Sequence, residues 1–340
     1  MPFTAPGDEL HVKILKTHKN YSDGECAELV KPSSIRVKPL CPVFEKCGGC
    51  SYQHLPYSFQ FETKKKGLLY ALKRAEIETG DLPIDDLPAK SEYHYRNRIQ
   101  VRSNPKEKAI GFYARGGKHI VPISACAIAR DEINQALPAL AEEGFKKFPE
   151  EFKLEIEISP EGTIRHAFNR SHAAFGFRQV NDEQNEQLRQ WIKKHVVSAD
   201  LLLDLYGGSG NLSTPLLDRF SEIRCVDIST PKSTIAPHFF YERKDLIQWA
   251  RVDETRETYQ KSTSLILDPP REGLGPNFSE IEDKISRYAI QSMILVGCDV
   301  DSFVRDTKRF QKRGFRLARL GVLDLFPQTP HVESLALFFK

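Results

Sequence analysis

Three of the chain's seven cysteines lie within ten residues, CPVFEKCGGC (41–50). Thiols crowded in this way suit a disulfide knot, a zinc site, a reactive pair, or an iron–sulfur cluster short of one ligand. A different kind of thiol, Cys298, ends the apolar run MILVG and precedes DVDSFVRDTKRF, a stretch with helical spacing. The start of a helix lowers a cysteine's pKa, although Asp299 beside it acts in the opposite sense. Glu333, in FPQTPHVESL, stands between a proline-rich loop and another apolar run. Read singly, these two are an inert core cysteine and a solvated loop acid. Read together, they are a nucleophile that adds to an electron-poor ring carbon and a base that removes a proton.

Elements must position these groups, and the chain has room for them. Its 340 residues allow two or three domains, and 40% hydrophobic with 28% charged residues is an ordinary globular balance. No apolar run reaches the roughly 18 residues of a membrane span, and MPFTAPGDEL lacks the pattern of a signal peptide. The expected address is cytoplasmic and reducing, which argues against disulfides. A net charge of +3 names no partner by itself. LHVKILK, CAELV and SIRVKP read as extended pieces, and SFQFETKKKGLLYALKRA as a helix. That helix puts Phe61, Leu68, Leu69 and Leu72 on one face and Lys64, Lys65 and Lys66 mostly outside it. GDLPIDDLPAK breaks it with prolines and acids, and YRNRIQVRS, AIGFYAR and HIVPISACAI return to strand patterns.

From about residue 171 the rhythm becomes βα. LLLDLY, IRCVDI, SLILD and MILVG are short apolar runs separated by helix-compatible stretches, the first of them LSTPLLDRF, and they predict a parallel sheet covered on both faces. The tail reads as two strands around a loop. DLYGGSGN sits where the first strand should turn into the first helix, with Asp204 ahead of the glycines and Asp227 closing the second strand. Such a loop admits a ligand closely, and an acid at Asp227 can accept from both hydroxyls of a ribose. This pairing resembles the class I S-adenosylmethionine-dependent methyltransferases. DPPREG (268–273) follows the next strand, where that fold meets its substrate. Arg271 stands where exocyclic-amine methylases carry an aromatic residue, which counts against N-methylation.

A thiolate added at carbon 6 of uracil makes carbon 5 nucleophilic enough to take a methyl group, and the carbon 5 proton must then leave. CPVFEKCGGCSYQHL, YRNRIQVR, GFRQVN, DLYGGSGN, LILDPPREGL, GCDVDSFVRD and FPQTPHVESL occur in this order. Through them the chain resembles the RNA 5-methyluridine methyltransferase family, in its iron–sulfur branch acting on 23S ribosomal RNA. The resemblance implies Cys298 as nucleophile and Glu333 as base. It implies S-adenosylmethionine contacts at Gln179, Tyr206, Asn211, Asp227, Asp245 and Asp268. It implies a [4Fe-4S] cluster on Cys41, Cys47, Cys50 and Cys126, zinc being the alternative. Cys225 belongs to a strand, Cys298 to the chemistry, and Cys26 to the N-terminal segment.

The implied architecture is a truncated TRAM-like β segment (1–40), a β-rich iron–sulfur, RNA-binding domain (41–170) and a Rossmann-like α/β methyltransferase domain (171–340). The chain departs from the family at Gly207, where a cysteine is usual, and at Gly297, where a serine is usual. Only STPKSTIAPHFF follows Asp227, in place of a helix of several turns, and half a barrel leaves strand edges open. Lys90, Arg96, Arg98, Arg102, Lys106, Lys108, Arg115 and Lys118, interleaved with Tyr93, Tyr95, Phe112 and Tyr113, suit phosphates and unstacked bases. The target uridine is expected to be flipped out, against Phe177, by a monomeric enzyme with no membrane partner. Alternatives are the T-loop uridine of transfer RNA, a non-catalytic RNA-binding or ribosome-assembly protein, and cytosine-5 methylation. The last requires a cysteine where Arg271 stands.

Overall fold

A computed structural model describes residues 1–276 and 278–340. In chain order its elements begin β1 (Glu9–Thr17), β2 (Ser22–Lys31), α1 (Tyr57–Arg74), β3 (Ile84–Leu87), β4 (Arg98–Asn104), β5 (Ala109–Tyr113), β6 (Ile120–Pro122) and α2 (Asp131–Lys147). They continue with β7 (Lys153–Ile158), β8 (Ile164–Phe168), α3 (Asp182–His195), β9 (Leu201–Leu205), β10 (Glu222–Asp227), β11 (Phe239–Arg243), α4 (Leu246–Arg251) and α5 (Arg256–Gln260). The last are β12 (Ser262–Leu267), α6 (Phe278–Ile285), β13 (Ala289–Gly297), α7 (Val300–Lys312), β14 (Arg316–Leu323) and β15 (Glu333–Phe339). Residues 1–63, 91–182 and 326–330 form one compact unit; residues 64–90, 183–325 and 331–340 form another.

The second unit is built on an eight-stranded sheet in the order β11-β10-β9-β12-β13-β15-β14-β3. β9 to β13 run parallel, β15 runs against both β13 and β14, and β3 runs with β14. β9 and β12 are buried along nearly their whole length, as strands covered on both faces must be, and this accounts for the unbroken apolar runs. The expected parallel sheet and the two tail strands are present. In this unit two local expectations fail and one segment gains a strand. LSTPLLDRF forms no α-helix, only a 3₁₀ turn at Thr214–Leu216 beside Pro215, so no helix start faces the glycine loop. The helix does end before GDLPIDDLPAK, and within that segment IDDL adds the edge strand β3, held by Asp85 accepting from Trp191 Nε1 at 2.8 Å and from Arg319 at 2.9 Å. Lys64 lies inside, its Nζ 2.7 Å from Asp324 Oδ1 with both side chains buried.

The first unit carries a five-stranded antiparallel sheet, β6-β5-β4-β7-β8, with α2 packed on its core of Val101, Leu137, Phe152, Leu154 and Ile156. Two members of the expected RNA-facing group belong to this interior. Arg98 is buried against Glu157 at 2.5 Å and donates to the Gly176 carbonyl, and Tyr95 is buried with its hydroxyl on the Pro327 carbonyl. Arg115, Lys106, Lys108 and Lys118 are exposed, as are Tyr113 and Phe177. β1 and β2 pair only with each other. Their open ribbon is dressed by cross-strand ion pairs, Lys31–Glu9 at 2.8 Å, Lys13–Glu25 at 3.0 Å and His11–Glu28 at 3.0 Å, while Val12 and Ile14 stay exposed. Among the described residues no helix is long and apolar enough to cross a membrane.

The buried Lys64–Asp324 pair yields a measurable cost. Lys64→Met strands Asp324 without this partner in the interior and should lower unfolding stability by roughly 3–5 kcal/mol. Denaturant unfolding of Lys64→Met and of the double variant Lys64→Met/Asp324→Leu checks this. The double variant should recover most of the loss.

Candidate active site

Backbone pairing brings Cys298 and Glu333, the expected nucleophile and base, together. β13 and β15 are antiparallel, with Gly297 opposite Ser334 and Val296 opposite Leu335. One step further along this register, Cys298 leaves β13 beside Glu333, the first residue of β15. Neighbours in such a pair have Cα atoms about 4.5–5.5 Å apart. Residues 268 and 298 in sequence thus share one sheet rim, because β12 pairs in parallel with β13. Asp299 caps α7 by accepting from the Ser302 amide at 3.0 Å, so the chain turns into that helix immediately after the thiol. At Gly297 a Cβ would come within 2.9 Å of the Phe303 ring. A serine there would need Phe303 to move, and the glycine lets α7 pack closely behind the thiol.

The electrostatics of the rim are dominated by acids. Burial holds Glu333 well above the ordinary carboxylate range, Asp268 adds to this, and Arg271 opposes it. Burial also pushes the Cys298 thiol up to about 11, helped by Glu333 and Asp268 and opposed by Arg271. Burial thus favours the protonated form of both groups, and Arg271 favours the ionised form of both. Asp268 is itself pushed up to about 7, by burial first and then by Asp204 and Asp227. Asp204 and Arg271 enter this balance in electrostatic roles beyond those their motifs suggested. Their signals were present, an acid inside an apolar strand and a cation directly after two prolines.

Asp204, Asp227 and Asp268 come from the carboxyl ends of β9, β10 and β12, where the strand order reverses and open α/β sheets bind ligands. Asp204 is fully buried, accepts from Ser213 Oγ at 2.5 Å, and leaves its second oxygen unpartnered. A Cβ at Gly207 would fall 2.6 Å from Asp204 and 2.6 Å from the sulfur of Cys225. Cys225 thus occupies the space that a side chain at 207 would need. Tyr206 bends the chain here with φ 63°, and burial pushes its hydroxyl up to about 12. Asp227 accepts from the amide and hydroxyl of Ser229 at 2.7 and 2.6 Å through one oxygen. Asn211 and Asn185 pair reciprocally at 3.0 and 2.8 Å. Asp245 is the N-cap of α4, accepting from Ile247 and Gln248 at 2.9 and 2.8 Å. Gln179 lies in the other unit, where its carbonyl accepts from Asn97. Buried acids with raised pKa values form a cradle for a cation, and S-adenosylmethionine carries both a sulfonium and an ammonium. The residues present fit that ligand.

In the first unit, Cys41, Cys47, Cys50 and Cys126 line one cavity of about 290 Å³, together with Arg96 and Phe112. The loops that carry them are pinned. The Cys41 amide donates to Gln53 at 3.0 Å, the Gly49 amide to the Cys47 sulfur at 3.4 Å, and the Cys126 amide to Asn134 on α2 at 2.8 Å. Among the described residues no three His, Cys, Asp or Glu side chains gather as closely as a single metal ion requires.

The Asp204 carboxyl produces a pH signature. Its pKa, about 7 in the fold against 3.8 for the free group, means that the unfolded chain releases this proton first. Its contribution to stability is complete below about pH 4 and is lost as pH rises toward 7. Asp204→Asn keeps an acceptor for Ser213 and removes the titration. Melting temperatures at pH 5 and pH 8 should show the variant gaining over the parent, with the larger gain at pH 8.

No family model matches the chain. An uncharacterised RNA methyltransferase of Bdellovibrio bacteriovorus is 30% identical over 99% of this chain and 88% of its own length. The 23S rRNA (uracil(1939)-C(5))-methyltransferase of Vibrio parahaemolyticus is 25% identical over 98% of this chain and 89% of its own. The crystal structure of the Pyrococcus abyssi tRNA (uracil-54, C5)-methyltransferase with S-adenosyl-L-homocysteine superposes with a TM-score of 0.73 at 22% identity, over 99% of this chain and 94% of that one, a likeness of fold. With acids at the switch point of the sheet, a thiol and a carboxyl further along the same rim, and relatives that cover nearly the whole chain, the chain belongs to the RNA methyltransferase family that includes the 23S ribosomal RNA uracil-C5 methyltransferases.

Proposed function

We propose that this protein methylates carbon 5 of a uridine in 23S ribosomal RNA through a covalent bond between Cys298 and carbon 6 of the base. The observation that carries the proposal is the β13–β15 register, which sets the Cys298 thiol beside the buried Glu333 carboxyl. When bound, S-adenosylmethionine supplies the methyl group and a positive sulfonium. Tyr206, Asn211, Asp227, Asp245 and Asp268 are proposed to hold it. Cys298 loses its proton to solvent and its sulfur bonds to carbon 6, leaving carbon 5 electron-rich. After methyl transfer, ionised Glu333 takes the carbon 5 proton, and the carbon–sulfur bond breaks to return the thiolate. Arg271 favours the ionised forms of Cys298 and Glu333. A cationic ligand among the acids of the rim acts in the same direction.

The cysteine-lined cavity supports a [4Fe-4S] cluster on Cys41, Cys47, Cys50 and Cys126 as the proposed resident group. Four thiols lining one hollow would supply the ligands, and the cluster would take them as thiolates. The role proposed for it is structural, tying residues 41–50 to residue 126. The division into segments 1–40, 41–170 and 171–340 is kept as a proposal about function, with the middle segment gripping RNA through exposed Arg115, Lys106, Lys108, Lys118 and Tyr113.

Two experiments test these readings. RNA carrying 5-fluorouridine blocks the removal of the carbon 5 substituent, so it should trap the protein covalently in the presence of S-adenosylmethionine. Denaturing gels should show the adduct with the parent and none with Cys298→Ala. An equal yield from that variant would end the mechanism, and mapping the site on natural RNA decides ribosomal against transfer RNA. Anaerobically purified protein should carry iron and absorb as a brown cluster, and Cys126→Ser should lose most of both.

A further inference from the structure

Outside the catalytic rim, the second unit presents a surface with no part in that chemistry. Tyr70, on the solvent side of α1, is 64% exposed, among the most exposed large side chains of the protein. Lys66, Lys73 and Arg74 share its face at helical spacing and are all exposed. The Arg74 guanidinium lies 6.0 Å from the Tyr70 ring centroid. The ring stands as a ridge between two hollows. One, of about 540 Å³, runs from Gly67 and Arg74 to Val300, Asp301 and Val304 on α7. The other, of about 430 Å³, lies toward Lys73 and Thr79.

Gly67 is a second and independent sign. It sits in the middle of an 18-residue helix, where glycine weakens the structure, yet a Cβ there would meet nothing within 4 Å. Packing does not demand the glycine; its absent side chain keeps the floor of the larger hollow clear. The far end of α1 is tied to α7 by Lys308, which donates to the Ala75 carbonyl and pairs with Glu76 at 3.0 Å. α7 starts at Val300, two residues beyond Cys298, so the hollow opens along the helix that leaves the nucleophile.

We propose that this groove binds an unpaired nucleotide of the RNA substrate next to the flipped uridine. Its base stacks on Tyr70, and the neighbouring phosphates lie against Lys66, Lys73 and Arg74. The proposal rests on the RNA-methylation reading above and adds a contact surface to it. Stacking on an aromatic ring flanked by cations is how single strands are held without sequence-specific readout. Asp301, exposed on the opposite wall, is an acceptor suited to the amino group of a base, and its charge disfavours a phosphate at that point. The phosphates therefore belong on the α1 side.

The test uses the full-length protein and a labelled RNA stem-loop in fluorescence anisotropy, with methylation kinetics alongside. Tyr70→Ala should weaken RNA binding about five- to a hundredfold, and Tyr70→Phe, which keeps the ring, should bind like the parent. Gly67→Leu should weaken binding while raising the melting temperature, because it fills the hollow and strengthens the helix. KM for RNA should rise with kcat unchanged, the mark of a contact made equally before and during the reaction. Parental affinity and KM in both Tyr70→Ala and Gly67→Leu would overturn the proposal and leave the ridge to a protein partner. The two readings fail separately. A protein that forms no 5-fluorouridine adduct but loses RNA affinity on Tyr70→Ala keeps the groove and loses the chemistry; the converse result removes only the groove.

Discussion

The antiparallel pairing of β13 with β15 is the constraint on which the site depends. A register slip of one residue would turn every side chain of β15 to the opposite face and remove Glu333 from the thiol. The register is held by burial on both faces, since Leu335, Ala336, Leu337 and Phe338 are buried on one strand and Met293 to Val296 on the other. The cost of desolvating a carboxyl is carried by that same packing. Burial, with Asp268 beside it, raises the proton affinity of Glu333, and Arg271 opposes that rise. Positive charge in the rim would favour its ionised form.

The same logic explains the crowd of acids at the switch point. Burial raises the proton affinity of Asp204 and Asp268, and the neighbouring Asp227 adds to both, an arrangement that favours a cationic ligand. Glycine at 207 and cysteine at 225 belong to this economy of space. The thiol of Cys225 backs Asp204 from the neighbouring strand, and any side chain at 207 would collide with both.

The first unit solves a different problem. Its antiparallel sheet and α2 share an apolar core, while the loops of residues 41–50 and 126 converge on a hollow lined by thiols. Its β1–β2 ribbon has no further strand to pair with, and it is kept in water by cross-strand charges rather than by packing. Exposed pairs of this kind contribute little to stability, so the ribbon is protected from edge-to-edge association more than it is strengthened.

Much of this was legible in the chain alone. Apolar runs bounded by polar turns marked β9, β10, β12 and β13, because strands buried on both faces admit little else. Motifs in fixed order marked Cys298, Glu333 and the four cysteines as one set of functional candidates. What sequence could not decide was which side chains face inward when charge and periodicity disagree. Lys64 and Arg98 read as surface cations and are interior partners of Asp324 and Glu157, since a buried charge is tolerated only where a distant segment supplies its counterion. IDDL reads only as part of a helix-ending segment and is also a sheet edge, because Trp191 and Arg319 meet its Asp85 from elsewhere in the chain. Local pattern determined the strands and the chemistry available at their ends. Long-range pairing alone decided that a thiol at 298 and a carboxyl at 333 would be neighbours, and that their protons would be held so tightly.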